Sequence, residues 1–466
     1  MKNYYLAVDI GASSGRHILG CVEDNKIKIE EIYRFANGLK EKNGHLCWDV
    51  EHLFQEIING LKKCKECGKL PVSMGIDTWA VDFVLLDEQD HVIGETVGYR
   101  DSRTSGMDEK LYKLITEAEL YERTGIQKQM FNSIYQLFAV RDKNPDYLER
   151  AKSFLMIPEY FNYLLTGVKK NEYTNASTTQ LVNVNTNEWD YELMDLLGYP
   201  REMFGKLELP GTVVGKMKKD IADEIGFDLT VVLPATHDTG SAVISVPATE
   251  DDIVYISSGT WSLMGTEIMK AECSEKSRIR NFTNEGGYEY RYRYLKNIMG
   301  LWMIQCVKKE YKDVYSFARL CELAEEEKTF ASRVDVNNQC FLAPSSMIGA
   351  LQQYCRDTSQ QVPEKPGEVA ACIYQSLADS YGDTIQELEE MTGKKYNKIY
   401  IIGGGSNADY LNKLTAESTK KQVIAGPSEA TAIGNLAAQM LRDGIFTSLK
   451  DARKGIYESF DVKVFN

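Results

Sequence analysis

A carboxylate at the end of an apolar strand, followed by small residues, marks the first stretch able to do chemistry: Asp9, Ile10, Gly11, Ala12, Ser13, Ser14, Gly15, Arg16. Backbone N–H groups and hydroxyls in such a turn can approach phosphate oxygens closely, and Asp9 could hold a magnesium ion through its waters. A plain Gly/Ser hairpin turn would read the same way. A second copy of the arrangement tips the reading: an apolar strand at 252–257, the turn Ser258-Gly259-Thr260, and a second strand at 261–266. Two such hairpins facing one another across a cleft would grip a nucleotide's phosphates from both sides. Gly-x-x-x-x-Gly-Lys-Ser/Thr occurs nowhere, which excludes a P-loop as the phosphate grip.

The acceptor side is expected elsewhere. The run Leu233-Pro234-Ala235-Thr236-His237-Asp238-Thr239-Gly240-Ser241 ends a strand and begins a small-residue helix, where α/β proteins present groups to a cleft. Asp238 there is a helix N-cap, or a carboxylate that the helix N-terminus keeps ionised as general base for a sugar hydroxyl; the two roles are compatible. Asp77, Trp79 and Asp82, at a strand end, combine an indole with two carboxylates, the mix that binds a sugar; a buried Trp beside a solvated Asp pair would look alike. Tyr99-Arg100-Asp101-Ser102-Arg103 could orient the same ligand or be a self-satisfied turn. Gly403-Gly404-Gly405-Ser406-Asn407-Ala408 fits a variant of the dinucleotide fingerprint, which supplies a rival, an NAD-dependent oxidoreductase. That fingerprint opens its domain, whereas this one comes near the end of the chain. A glycine turn against which adenine or ribose packs fits better.

Strands and helices must position these groups. Strands are expected at 4–10, 17–22 and 26–33, then a helix from Val50 with Asp49 as cap, and a strand at 72–77. Toward the end a long helix is expected at 368–391, where Val369, Ile373, Leu377, Tyr381, Ile385 and Leu388 share one face. Strand 398–402, helix 408–419, strand 422–425 and a small-residue helix at 430–441 follow. The alternation is α/β. With 466 residues two domains are expected, parted at the Pro-containing, acidic segment 246–251.

Composition excludes several classes. Lys and Arg number 54 against 68 Asp and Glu, a net charge of −14 without a basic block, which argues against nucleic acid or an anionic membrane surface as partner. No apolar run approaches the about 18–20 residues of a membrane span, and Asp9 interrupts any signal-peptide-like start, so a cytoplasmic protein is expected. Ten scattered Cys read as reduced thiols; Cys64 and Cys67 lack a second zinc-spaced pair, and spacing alone does not imply a bridge between Cys355 and Cys372.

The chain resembles the FGGY carbohydrate kinases over essentially its full length, through AVDIGASSGR at 7–16, WDV at 48–50, IDTWAVDFVLLD at 76–87, YRDSRT at 99–104, EYTNASTTQLVN at 172–183, THDTGSAV at 236–243, SSGTWSLMG at 257–265, LKNIMGLW at 295–302 and IAGPSEATAIGN at 424–435. The resemblance implies two actin/hexokinase-like (ribonuclease H-like) ATPase domains, 1–248 and 249–466, flanking a catalytic cleft. It implies ATP binding by Ala12, Ser13, Ser14, Gly15, Arg16, Thr260, Asn297, Gln305 and Gly404. The sugar would meet Ala80, His237, Asp238 and Thr239, with Asp238 as proton acceptor. Magnesium with ATP is implied, and a ketose substrate, L-rhamnulose foremost, phosphorylated on its carbon-1 hydroxyl by a monomer or small homo-oligomer. Two features depart from the common family pattern: Ala80 stands where Gly is usual, and Asn132-Ser133-Ile134-Tyr135-Gln136 where Lys-x-x-Trp is frequent. An actin- or chaperone-like ATPase that binds a protein segment is the remaining rival, which fold alone does not separate.

Overall fold

The structure is a computed structural model that describes residues 2–466. Its chain forms two compact units that are discontinuous in sequence. Of the described residues, unit 1 comprises 2–245, 268–294 and 431–459; unit 2 comprises 246–267, 295–430 and 460–466. A single cut at 248/249 divides the chain in sequence, whereas two later segments return to unit 1.

In unit 1, β1 (Tyr4–Ile10), β2 (Ser14–Glu23) and β3 (Lys26–Ala36) form an antiparallel meander. Asp24 and Asn25 both take positive φ, giving the two-residue turn whose twist suits a hairpin. The second strand begins three residues earlier than the spacing predicts and the third ends three later, because backbone pairing continues where the apolar alternation stops. On its other edge β1 pairs in parallel with β4 (Pro71–Thr78). Beyond lie β5 (Val213–Lys216) and β6 (Thr230–Val232), the latter parallel to β4. From Tyr5 to Ile10, β1 is buried on both faces, as a central strand between two layers must be. Helix α1 (Val50–Glu66) covers one face with Leu53, Ile57, Ile58 and Leu61, and Asp49 caps it by accepting from the His52 N–H at 3.0 Å.

In unit 2, β7 (Val254–Ser258) and β8 (Trp261–Ile268) form the second hairpin. On its other edge β7 pairs in parallel with β9 (Lys398–Ile402), which pairs in parallel with β10 (Gln422–Ala425); β11 (Lys463–Phe465) closes this edge antiparallel. Both units therefore repeat one plan: a hairpin whose first strand carries two parallel strands on its far side. The long helix runs from Pro366 to Thr392, with Pro at its first turn and Gly393 at φ +68° just past its end.

The small-residue helix Ala430–Arg442 packs within unit 1. A Cβ at Gly434 would overlap the Ser241 carbonyl, so only glycine lets the two backbones meet. From the same helix Asn435 Nδ2 donates to Gly75 O at 3.1 Å and to Asp77 Oδ2 at 2.6 Å, and Gln439 Nε2 donates to Leu6 O at 3.0 Å. Among the described residues no helix is long and apolar enough to cross a membrane.

Candidate active site

The end of β1 lies in register with the end of β4, which places Asp9 directly beside Asp77. Arg16, opposite Asp9 on β2, clamps Asp9 Oδ2 with Nε at 3.0 Å and Nη2 at 2.9 Å. Asp77 is fully buried. Desolvation first, then the Asp9 charge, pushes its carboxyl well above the usual range, and its Oδ1 has no hydrogen-bond partner among the described residues.

The turn joining β1 to β2 is held from below. Gly11 N donates to Ser14 O at 2.9 Å, while Asn37 donates its Nδ2 to Gly11 O at 2.8 Å and its N–H to Ser13 O at 3.0 Å. Ser13 is exposed at the tip, with Ala12 and Ser14 half-buried beside it. At Gly15 a Cβ would overlap the Phe35 ring, so this position also serves packing under the hairpin. Arg16 is engaged by Asp9 and presents itself as the clamp of that carboxylate.

Past β4 the chain makes a tight reversal. Asp82 N donates to Ala80 O at 2.9 Å across Val81, which sits at φ +68°, a costly conformation for a β-branched residue. Ser133 Oγ at 2.5 Å and Gln136 Nε2 at 3.2 Å both donate to Val81 O and hold it there. Residues from the segment that departs from the common family pattern thus brace the turn that carries Ala80.

The sugar-binding reading of Asp82 is corrected by its partners. Its Oδ2 accepts from Trp48 Nε1 at 2.6 Å, Trp79 Nε1 at 2.9 Å and the Tyr99 N–H at 3.0 Å, and its Oδ1 accepts from Gln136 Nε2 at 3.0 Å. The carboxylate is buried and occupied, and it pins the two indoles together with ring centroids 3.9 Å apart. The nearby turn is self-satisfied as well: Asp101 accepts from Leu46 N, His45 Nδ1 and Arg103 N.

Asp238 begins the helix Asp238–Ile244, with His237 as N-cap. Its Oδ1 accepts from the Thr239 N–H at 2.5 Å and Thr239 Oγ1 at 3.1 Å, and His237 Nε2 lies 3.3 Å from the same oxygen. Among the described residues Oδ2 receives no hydrogen bond. Its basicity is set by more than the helix N-terminus: desolvation, reinforced by Asp9, pushes the carboxyl up to about 6. At neutral pH it remains mostly ionised, and it is more basic than a solvated carboxylate.

Residues that sequence reasoning passed over support this loop from behind. Thr236 Oγ1 lies 2.7 Å from Glu159 Oε1 and 3.0 Å from Glu172 Oε2, and the Thr236 N–H donates to Glu172 Oε2 at 3.1 Å. One hydroxyl proton cannot serve two carboxylates. Burial pushes Glu159 up to about 8 and raises Glu172 as well, so one of the two sharing a proton with the Thr236 hydroxyl relieves the repulsion between them. Glu172 stands in a quoted motif, but nothing in its spacing tied it to Thr236; Glu159, Glu285 and Arg293 carry no local signal at all.

In unit 2 four of the expected nucleotide residues lie on the β7–β8 hairpin or on elements that adjoin it. The turn of the β7–β8 hairpin accepts from the next helix, Leu301 N to Gly259 O and Trp302 N to Thr260 O, both 3.0 Å. Gln305 lies on the first turn of that helix, Trp302–Glu310, and Gly300 packs on the backbone at Trp261 and Ser262. Asn297, half-buried in the strand Tyr292–Met299, keeps its Oδ1 buried without a hydrogen-bond partner among the described residues. Gly403 takes φ +83° and Gly405 packs on Ser258, whereas Gly404 is exposed with open space around it.

These features describe a protein that carries two tight hairpin turns and a basic carboxylate on a repeated α/β plan. The family model "FGGY family of carbohydrate kinases, N-terminal domain" matches residues 4–245 and its C-terminal counterpart residues 254–442, and the chain belongs to that family. A rhamnulokinase of Halalkalibacterium halodurans is 56% identical over 99% of this chain and 98% of its own length. The rhamnulokinase of Bacillus subtilis is 44% identical over 99% of this chain and 95% of its own. Among solved structures, a xylulose kinase from Lactobacillus acidophilus superposes with a TM-score of 0.80 at 16% identity, covering 99% of this chain and 93% of that one. Glycerol kinase of Plasmodium falciparum with ADP gives 0.77 at 14% identity, covering 99% and 94%. These two likenesses speak to the fold.

Proposed function

We propose that this chain transfers the γ-phosphoryl group of ATP to the carbon-1 hydroxyl of L-rhamnulose, giving L-rhamnulose 1-phosphate and ADP in L-rhamnose catabolism. The observation that carries the substrate is identity over nearly the whole chain with relatives named rhamnulokinase. Neither rival has comparable support: the glycine turn at 403–408 follows the fifth strand of its sheet in chain order, and the family match covers both halves.

Phosphoryl transfer asks little covalent chemistry of a protein; it asks for an in-line geometry and neutralised phosphate charge. Asp238 Oδ2 takes the hydroxyl proton, with Ala80, His237 and Thr239 lining the ketose. Residues 1–248 carry this acceptor side and the hairpin residues Ala12, Ser13, Ser14, Gly15 and Arg16. Residues 249–466 carry Thr260, Asn297, Gln305 and Gly404 for the nucleotide. The clamped Asp9 and the orphaned Oδ1 of buried Asp77 fit a magnesium ion that keeps its waters and takes most ligands from phosphate. Asp9 would hold such an ion through water, and the ion would offset charge on the phosphates. A cytoplasmic monomer or small homo-oligomer completes the reading.

The test is coupled ADP release against L-rhamnulose, L-fuculose, L-xylulose and L-fructose, each with and without magnesium. L-Rhamnulose is expected to give the highest kcat/KM. Preference for another ketose would overturn the substrate, and ketose-independent ATP hydrolysis would overturn the kinase reading.

A further inference from the structure

Arg293 is the largest side chain of the protein that is wholly buried. Desolvating a guanidinium costs several kcal/mol unless it is paired and hydrogen-bonded. An ion pair is present, with Nη2 3.0 Å from Glu285 Oε2, and Nε donates to Gly286 O at 3.0 Å, while Nη1 has no hydrogen-bond partner among the described residues. The same Nη2 lies 3.0 Å from His237 Nδ1. A guanidinium has only donors and stays protonated, so Nδ1 must offer its lone pair. That leaves the imidazole proton on Nε2, which lies 3.3 Å from Asp238 Oδ1. The alternative, an Nδ1–H donated to Glu285 Oε2, would span 3.5 Å and point a hydrogen at the guanidinium. Burial and the Arg293 charge also hold His237 well below its ordinary pKa, so the ring is neutral.

We propose that Arg293 is a positioning residue that holds His237 as its Nε2–H tautomer, so that a protonated nitrogen and not a lone pair faces Asp238 Oδ1, 3.3 Å away, beside the two Thr239 donors, and Oδ2 is left to the substrate hydroxyl. The inference rests on the reading of Asp238 as proton acceptor and deepens it. Without the donor at Nδ1 the ring can present a bare Nε2 lone pair to the carboxylate, which repels Asp238 and lets it turn. Glu285 balances the charge that fixes the ring.

Long-range 1H–15N spectra of the 15N-labelled protein read the tautomer directly, with His237→Gln identifying the signals among the five histidines. The wild type is expected to show protonated Nε2 and bare Nδ1, a result that needs no ketose and so stands apart from the substrate assignment. Arg293→Gln, whose amide can accept as well as donate, is expected to give mixed tautomers and about 10–100-fold lower kcat, with KM for ATP within about twofold. Arg293→Lys, which keeps one cationic donor, should recover part of kcat and the wild-type pattern. A purely structural role would lower melting temperature without moving the tautomer. Protonated Nδ1 in the wild type would overturn the proposal, as would a folded Arg293→Gln variant with wild-type kcat. Should neither variant fold, the wild-type spectrum alone decides.

Discussion

Gly405 lies so close to Ser258 that a Cβ on the glycine would overlap the serine Oγ, although 147 positions separate the two in sequence. The end of β7, which leads into one phosphate-sized turn, thus abuts the glycine turn after β9. A Cβ on neighbouring Gly404 would meet nothing within 4 Å. Two adjacent glycines therefore do different jobs, and substitution separates them. Gly405→Ala should lower the melting temperature, because the hairpin must shift to admit the methyl group. Gly404→Val should leave the melting temperature within about a degree or two and raise KM for ATP, since only a bound adenosine would feel the added bulk. A Gly404→Val enzyme with unchanged KM for ATP would remove that turn from the nucleotide site.

Thr260→Val removes a half-exposed hydroxyl beside the same turn and keeps its shape. KM for ATP should rise by about 3–10-fold, as for loss of one hydrogen bond of about 0.5–1.5 kcal/mol, while KM for the ketose stays put. Parallel rises in both constants would contradict the assignment.

Asp238→Asn keeps the size of the side chain and removes its basicity. Turnover should fall by about 10²–10⁴-fold with ATP affinity, read by calorimetry, little changed. Near-normal turnover would take Asp238 out of the acceptor role.

The raised pKa of Asp238 sets two pH dependences. As a base it must be ionised, so kcat/KM for the ketose should climb with pH through about 6 and then level. Folded Asp238 holds its proton more tightly than the unfolded chain does, so its contribution to stability falls as pH rises from the ordinary carboxylate range through about 6. Asp238→Asn lacks that loss. Its melting temperature relative to wild type should therefore increase between pH 4 and pH 7, read by calorimetric scans at several pH values.

Ala80 stands on the strained turn at Val81. If its methyl meets the ketose, Ala80→Gly should relax discrimination among ketoses by about 1–3 kcal/mol, and Ala80→Val should raise KM for L-rhamnulose with that for ATP nearly fixed. Equal specificity ratios in all three proteins would show that residue 80 only packs the strand end.

Much of this protein was legible along the chain because its signals are local. The two hairpins, the cap at Asp49, the long helix from Pro366 and the Asp238 loop follow from spacing, turn residues and strand ends, which act over a few residues. Tertiary structure decided what those residues do. Asp82 reads as a sugar ligand until Trp48, Trp79, Tyr99 and Gln136 are seen to occupy it. Asp238 reads equally as a helix cap and as a base, and desolvation with the Asp9 charge raises its basicity. Glu172 and Arg293 reach the loop at 236–238 from 64 and 56 positions away. A buried charge or carboxylate takes its meaning from whatever donors surround it, and those donors arrive from distant segments only when sheets and helices pack.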